Sequence, residues 1–374
     1  NNMENFDPSQ YSSHDKLPND KKTLFKKVDG GFVYDSVLSE DGAWGEAVEL
    51  MEKINNGAVN YAEAEALFEE FKKRTNNLNQ GVEDYLIKYL ENYEIKQEFE
   101  KAKTEHPELG SNVKIIIEFI RHGATMPDGS LSKDGEKQAS RLGEGLNNSN
   151  DYDSVVGLAS SLIEGGNERA LKTMLIALEN TPEIKNHYIP IVKKIESDLN
   201  YKKLKNGMDI SPYRQTQQEA PGKGWDVKTI DTIGIDRIMS NSPKATMEAA
   251  TRLSYLTKFL LNSISIQKND EKVIYPIVTH NIMIAPFLKN VLVRINKKTG
   301  DRIFGFDKLE EIGGGIGNTE AFDIVASTDD EKKLREVGIV FKDKARAEFL
   351  SEFDLQIDLE KLADLVKQYE ENYL

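Results

Sequence analysis

The chain has 374 residues, 39% hydrophobic and 30% charged, which is typical of a soluble globular protein with room for one large domain and a smaller one. Its formal charge of -14 argues against a general nucleic-acid surface, so an anionic ligand would need a local basic pocket. The absence of cysteine excludes disulfides, thiolate nucleophiles and cysteine metal sites, and no apolar segment approaches the roughly 20 residues that span a bilayer. We therefore expect neither a nucleic-acid nor a membrane partner.

The first 110 residues carry no chemical signature. Residues 1–40 are polar and irregular, and we predict that they form an extended arm. From 41 to 110 apolar side chains recur at spacings of three and four, which predicts a helical extension or a small helical module. The side chains that set this spacing include Trp44, Val48, Met51, Ala64, Leu67 and Phe71.

Residues 111–344 alternate between short apolar runs and helical patterns. This alternation predicts an α/β domain with a mostly parallel sheet flanked by helices. Pro276 weakens the run 273–278 as a central strand, because proline has no backbone donor. Residues 345–374 carry leucines at spacing three and are predicted to form a C-terminal helix. The other predicted strands are 115–120, 155–159, 321–325 and 337–341, and predicted helices begin near Ser132, Asn167 and Ile282.

One strand end brings an imidazole and a guanidinium together. The apolar run 115–120 leads directly into Arg121, His122 and Gly123. In an open α/β sheet, ligands bind at the carboxyl ends of the strands. An imidazole at that edge suits attack on a phosphorus atom that the neighbouring guanidinium orients. A lone histidine is more often a packed or surface residue, but this position favours a catalytic role for His122.

This triplet resembles the signature of the histidine phosphatase superfamily, which includes the cofactor-dependent phosphoglycerate mutases. Residues 131–139 (LSKDGEKQA) resemble that superfamily's next segment, which has leucine, serine or threonine, glycine, glutamine and alanine at these spacings. Taken without the resemblance, Ser132 is a good N-cap for a helix. Because both motifs occur at the expected separation, the resemblance is specific, and it implies a phosphoglycerate mutase-like catalytic domain over 111–344.

The resemblance also implies two further phosphate-binding residues. Arg169 is similar to the superfamily's second arginine, although residues 163–167 lengthen the loop before it. His280, which ends the run 273–278, is similar to the second histidine. On this basis Arg121, Arg169 and His280 bind the phosphoryl group, and His122 attacks phosphorus in line.

The identity of the proton donor is left open. Family members usually have glycine or aspartate after the second histidine, and the aspartate is the donor; here the residue is Asn281, which has no proton to give. In another branch a glutamate downstream of the second arginine is the donor. Glu196 fits that interval, and a surface glutamate is an equally good interpretation of it. Glu219 and Asp128 are weaker alternatives.

Two glycine-containing segments follow His280 in the chain. Residues 317–319 resemble the family's asparagine-containing turn. The glycines at 313–315 are not followed by lysine and serine or threonine, and they do not open a helix after a strand as a phosphate-binding loop does. We predict that they form a flexible turn.

The function implied by the resemblance is that of a metal-independent phosphomonoesterase with a phosphohistidine intermediate and no cofactor. Its partner would be a small phosphorylated substrate or a phosphoprotein. Hydrolysis is favoured over mutase-type phosphotransfer, because residues 124–130 lack the longer insertion with asparagine and tryptophan that phosphoglycerate mutases carry. A non-catalytic relative that binds phosphorylated ligands, or a scaffold with a vestigial phosphatase domain, are the alternatives. We expect a cytoplasmic protein, or an exported form whose signal has been removed; the sequence leaves the oligomeric state open.

Overall fold

The computed structural model describes residues 25–28, 31–34, 50, 61–74, 109–126, 130–148, 152–159, 169–179, 186–188 and 199–373. The chain divides into two compact units, Asn1–Pro107 with Glu370–Leu374, and Glu108–Tyr369. The predicted domain boundaries at 40, 110 and 344 stay predictions. Every residue placed at the candidate site below belongs to the second unit.

The first unit contains an antiparallel hairpin of β1 (Phe25–Val28) and β2 (Gly31–Tyr34). The hairpin lies within the predicted polar arm and was not anticipated. The sequence between its strands is Asp29-Gly30, a pair that strongly favours two-residue hairpin turns. This Asp-Gly pair is the sequence feature from which the hairpin could have been predicted.

Helix α1 (Tyr61–Arg74) follows in the same unit. Ala64, Phe68 and Phe71 are buried along it at spacings of four and three, as the face of an amphipathic helix requires. Leu67, which the sequence pattern placed on this face, is only half-buried.

The second unit is built on a nine-stranded mixed sheet among the residues described. Its strands are β3 (Lys114–Arg121), β4 (Ser154–Ala159), β5 (Asn186–Tyr188), β6 (Lys272–Thr279), β7 (Leu292–Asn296), β8 (Arg302–Phe304), β9 (Ala321–Ser327), β10 (Gly338–Phe341) and β11 (Phe353–Ile357). Their order across the sheet is β5-β4-β6-β3-β9-β10-β11-β7-β8. The first four are mutually parallel, and the remaining neighbours pair antiparallel.

Helices flank this sheet. They are α2 (Lys133–Asn148), α3 (Arg169–Glu179), α4 (Ser211–Lys223), α5 (Val227–Asn241), α6 (Pro243–Asn262), α7 (Asn281–Val291), α8 (Lys344–Phe349) and α9 (Leu359–Tyr373). The predicted α/β class is therefore confirmed, and the sheet is mixed: it is parallel from β5 to β3 and antiparallel from β3 to β8. Parallel neighbours need long crossover connections, which the helical first half of the unit provides, whereas short loops such as that between β7 and β8 make antiparallel pairs.

Strand β3 lies in the interior of the sheet, and both of its faces are covered. Ile115, Ile117 and Phe119 join a core cluster that includes side chains of α6 and α7. Ile116 and Ile120 join a second cluster with side chains of α2 and α3. A continuous apolar run is typical of a strand buried on both faces.

Strand β6 corrects the expectation for Pro276. The strand lies in the sheet interior, between β4 and β3, although it contains this proline. Its ladder with β4 has pairs at Ile274 and Ile277 but none at Tyr275 or Pro276. The missing donor of the proline is thus accommodated at a gap in one ladder rather than at a sheet edge.

The C-terminal segment also differs from the expected single helix over 345–374. Between α8 and α9, the strand β11 pairs with β7 and adds to the sheet. Phe353, Leu355 and Ile357 alternate with Asp354 and Gln356, which is the period of a strand. The helical spacing of the leucines beyond residue 358 masked this shorter pattern.

A buried charge cluster lies on β3 and β9. Glu118 and Asp323 are directly opposite each other in the ladder, and both are almost fully buried. Lys342 Nζ donates to Glu118 Oε1 and lies 3.4 Å from Asp323 Oδ1. Burial, and next the charge of Glu118, raise the pKa of Asp323 to about 7 from its ordinary value of 3.8.

Replacing Asp323 with asparagine should therefore change how stability depends on pH. Because the folded-state pKa of Asp323 lies above the unfolded value, its contribution to stability is complete below about pH 4 and is lost as pH rises through about 7. We expect Asp323→Asn to gain roughly 2 kcal/mol relative to wild type on going from pH 5 to pH 8. Urea denaturation at both pH values measures this, with the exposed Asp354→Asn as control. An effect of Asp323→Asn that is equal at both pH values would contradict it.

Candidate active site

The two histidines that the sequence analysis selected lie side by side. Strands β3 and β6 are parallel and pair Arg121 with Thr279, so the residues that follow them leave the sheet at the same edge. The backbone N–H of His122 donates to the Thr279 carbonyl at 3.1 Å. The ring centroids of His122 and His280 are 5.0 Å apart. The predicted pairing of these two residues is present in the structure.

The tautomer of His122 follows from its hydrogen bond to the backbone. Its Nδ1 lies 2.8 Å from the Gly123 carbonyl oxygen, which can only accept, so Nδ1 carries the hydrogen and Nε2 carries the lone pair. The residue is 7% exposed. Burial, followed by the charges of Arg169 and Arg121, lowers the pKa of His122 to about 3. The imidazole is therefore neutral, and nucleophilic, at any pH near 7.

The segment 131–139 holds the loop that follows His122. A Cβ on Gly123 would lie 2.8 Å from the Gly135 carbonyl, and one on Gly135 would lie 2.2 Å from the Ala124 carbonyl. Both glycines are therefore required by the close approach of the loop to α2. The Ser132 hydroxyl accepts from the Gly135 N–H at 3.0 Å, which is the predicted N-cap, and Gln138 Oε1 accepts from the Ala124 N–H at 2.9 Å.

Arg169 reaches the site from the first residue of α3. Its Nη2 lies 3.5 Å from His280 Nδ1. Thr173, one turn later, donates to the Arg169 carbonyl at 2.7 Å and accepts from the Gly123 N–H at 3.1 Å, so it ties this helix to the loop after His122. The lengthened loop before Arg169 lies outside the described residues. The structure thus places Arg169 next to His280, and the charge of Arg169 also acts on His122.

His280 stands between His122 and Tyr201. It is 4% exposed and occupies the N-cap position of α7, where its carbonyl accepts from the Met283 N–H at 2.8 Å. The Tyr201 ring meets the His280 ring edge-on at 5.1 Å. Burial, and then the neighbouring His122 and Arg169, hold the pKa of His280 well below its ordinary value. Two neutral imidazoles thus lie beside two guanidinium groups, which is a suitable environment for a phosphoryl dianion.

Arg121 is held by a carboxylate that the sequence analysis did not select. Its Nη1 donates to Asp231 Oδ2 at 2.5 Å and to the Ile316 carbonyl at 2.7 Å, and its Nη2 lies 3.3 Å from Asp231 Oδ1. The Tyr213 hydroxyl donates to Asp231 Oδ1 at 2.5 Å. One sequence signal was available, since Asp231 lies on the same face of α5 as the buried Ile235 and Ile238.

The proton-donor candidates remain largely untested by the structure. Glu196 and Asp128 lie outside the described residues. Glu219 receives a hydrogen bond from Arg237 at 3.1 Å, and this bond is the main cause that lowers the pKa of Glu219, so it is ionised and unsuited to donating a proton. Asn281, which stands where some family members have an aspartate donor, instead has its Nδ2 3.4 Å from the Ile316 carbonyl.

The glycine-rich turn before the Asn318 segment has its backbone groups bonded within the protein. Gly313 and Gly314 adopt positive φ angles of 85° and 94°. The carbonyls of this turn accept from the buried guanidinium of Arg346, and the Gly315 N–H donates to the Thr232 hydroxyl. The carbonyls of the turn therefore accept from a cation, whereas the sequence analysis predicted only a flexible turn. The neighbouring Thr319 N–H donates to the Arg121 carbonyl at 3.0 Å.

Two kinds of feature are absent from the described part of the chain. No group of three or more histidine, aspartate or glutamate side chains lies close enough there to hold a metal ion. None of the helices described there has the length and apolarity to cross a membrane.

Comparisons with known proteins found no matching protein-family model and no matching curated protein. Among solved structures, a phosphoglycerate mutase from Bacillus anthracis str. Sterne is 15% identical, with a TM-score of 0.34, over 65% of this chain and 98% of its own. A mycobacterial glucosyl-3-phosphoglycerate phosphatase is 16% identical, with a TM-score of 0.34, over 61% and 97%. A phytase from Klebsiella sp ASR1 is 11% identical, with a TM-score of 0.32, over 69% and 96%. At these identities and TM-scores, function has to be inferred from the geometry of the site.

Proposed function

We propose that this chain is a metal-independent phosphomonoesterase of the histidine phosphatase superfamily, which forms a phosphohistidine at His122. The observation that carries the proposal is the neutral imidazole of His122, whose Nδ1 hydrogen is held by Gly123, beside the guanidinium groups of Arg121 and Arg169. Nothing in this arrangement requires a metal ion, because the two arginines supply the positive charge that phosphoryl transfer needs. Residues 111–344 would form the catalytic domain.

The first chemical step is attack of His122 Nε2 on phosphorus. A nitrogen–phosphorus bond forms while the ester oxygen–phosphorus bond breaks, and the leaving alkoxide takes a proton from a general acid. We assign this acid to Glu196 on its interval from Arg169. His280 and both arginines bind the phosphoryl oxygens throughout, and the arginines neutralise their charge.

The second step returns the enzyme to its starting state. Water, deprotonated by the same carboxylate, attacks phosphorus, the nitrogen–phosphorus bond breaks, and inorganic phosphate leaves. In this step His122 re-forms as a neutral imidazole, which is the form that its low pKa favours.

Hydrolysis is favoured over mutase activity by the connection after His122. The Met126 N–H donates to the Ser130 carbonyl at 2.8 Å, and the Ser132 N–H donates to the Ala124 carbonyl at 2.9 Å. These bonds join the two ends of a connection that is only a few residues long. A mutase must exclude water while it holds the phosphoryl group, and a longer insertion here would help to do so. The substrate would be a small phosphate ester or a phosphoprotein.

The proposal is tested with p-nitrophenyl phosphate as substrate and EDTA in the assay. We expect release of inorganic phosphate at an unchanged rate with the chelator, and an acid-labile phosphoryl group on His122 after rapid quenching in base and mass spectrometry. Loss of activity in EDTA would contradict the metal-independent mechanism. Transfer of the phosphoryl group to an added alcohol in preference to water would favour the mutase alternative. Binding of phosphate without turnover of any ester would favour the non-catalytic alternative.

A further inference from the structure

The carboxylate of Asp231 occupies one particular edge of the Arg121 guanidinium. Of the five N–H donors, both on Nη1 and one on Nη2 are directed at Asp231 and the Ile316 carbonyl. The Nε–H and the second hydrogen of Nη2 lie along the other edge of the planar group, and the Tyr213 hydroxyl also interacts with this guanidinium. Two parallel donors of this kind match two oxygens of a phosphoryl group.

The Nε atom of Arg121 provides a second, independent observation. It is buried and has no hydrogen-bond partner in the part of the chain that the structure describes. A buried donor without an acceptor costs free energy, and such groups in folded proteins call for an explanation such as a bound ligand. A phosphoryl oxygen on this edge would satisfy it.

Asp231 is itself fixed in place. Its side chain is 3% exposed, and the Tyr213 hydroxyl donates to its Oδ1 at 2.5 Å. The Tyr213 ring lies over Gly234, where a Cβ would come within 2.4 Å of ring carbon Cδ2, so the absence of a side chain at Gly234 sets the ring position. Burial and the Asp231 charge raise the pKa of Tyr213, so its hydroxyl stays protonated and continues to donate.

We infer that Asp231, held by Tyr213, is a positioning residue that turns the Nε and Nη2 edge of Arg121 toward the phosphoryl group during transfer. This inference rests on the proposed function. Asp231 does not touch the phosphoryl group in this scheme, because its carboxylate contacts Arg121 and Tyr213, and its negative charge offsets the charge of Arg121. Its removal should therefore harm the transition state more than it harms binding of phosphate, since a negative charge leaves the site at the same time.

The test compares wild type with Asp231→Asn and Tyr213→Phe, using kcat and KM for p-nitrophenyl phosphate and inhibition by phosphate and by orthovanadate. Vanadate adopts the five-coordinate geometry of the transition state, and phosphate resembles the ground state. We expect Asp231→Asn to lower kcat about 10- to 100-fold and to weaken vanadate inhibition by a similar factor. Inhibition by phosphate should be unchanged or tighter. Tyr213→Phe, which keeps the carboxylate, should show the same pattern at about 3- to 10-fold.

The matched control is Asp236→Asn on the same helix. The Asp236 carboxylate accepts from the Leu309 N–H at 3.1 Å, and asparagine can still accept there, so kcat should stay within about twofold of wild type. Circular dichroism and the melting temperature establish that each variant is folded. If Asp231→Asn does not fold, Tyr213→Phe decides the matter, since wild-type kcat and vanadate inhibition in that variant would overturn the inference.

Two outcomes separate this inference from the proposed function. Equal weakening of phosphate and vanadate inhibition, or none at all, overturns the role of Asp231 while the phosphatase assignment stands. If the wild type hydrolyses no ester, the proposed function fails, and calorimetric titration with vanadate and phosphate still measures the ratio of affinities in each variant. A ratio unchanged by Asp231→Asn then overturns the inference as well.

Discussion

Replacing His122 with alanine is expected to lower kcat for p-nitrophenyl phosphate by about 10⁴-fold or more, because the nucleophile of the covalent mechanism is lost. The phosphoryl group trapped on the wild-type protein should disappear with it. Binding of inorganic phosphate should survive, since Arg121 and Arg169 remain and the neutral imidazole contributes no charge. Stopped assays at high enzyme concentration, together with mass spectrometry of the quenched protein, measure both effects.

A control at an exposed position keeps this result interpretable. Lys298 lies in the turn between β7 and β8, and Lys298→Ala should leave kcat within about twofold of wild type. If His122→Ala retained a tenth of the wild-type rate, or still carried acid-labile phosphate, another residue would be the nucleophile. The assignment of His122 would then be wrong.

Replacing Arg169 with alanine should lower kcat/KM by about 10²- to 10³-fold, because one of two cations that stabilise the transferring phosphoryl group is removed. Arg169→Lys should recover only part of this loss, since an ammonium carries the charge but cannot make the two parallel hydrogen bonds of a guanidinium. The comparison of kcat with KM shows whether the lost interaction is stronger in the transition state than in the bound substrate.

The Arg169 variants have a natural control in Arg302. The Arg302 guanidinium is exposed and lies 5.7 Å from the Phe304 ring centroid in β8. Arg302→Ala should be kinetically close to wild type, which separates loss of the site from a change in overall charge. Wild-type kinetics in Arg169→Ala would mean that the lengthened loop carries Arg169 away from bound substrate, and that Arg121 alone binds the phosphoryl group.

Much of the site could be predicted from the sequence because its parts are local. A strand that is apolar on both faces is recognisable from the run 115–120, and whatever follows it must leave the sheet at the carboxyl edge. The same holds for the run 273–278 and His280. The two motifs also contain Gly123 and Gly135, which approach each other so closely that only glycine fits at both positions.

The parts that escaped prediction depend on contacts across long sequence separations. Asp231 is 110 residues from Arg121, and neither residue has a neighbour in sequence that identifies the other. The strand β11 carries a period of two over only five residues, next to a longer helical pattern that dominated the interpretation. Pro276 is the opposite case. The local rule about proline argued against a central strand, but β6 lies in the sheet interior.

Local patterning of this chain determines the α/β class and the strand ends that carry the two histidines, since burial and periodicity act over a few residues. The tertiary structure alone decides how the arginine of the Arg-His-Gly triplet is presented. Its guanidinium takes the orientation set by Asp231, Tyr213 and the Ile316 carbonyl, which three separate segments bring together. A charged side chain has several rotamers of similar energy, and only distant partners of opposite charge can select one of them.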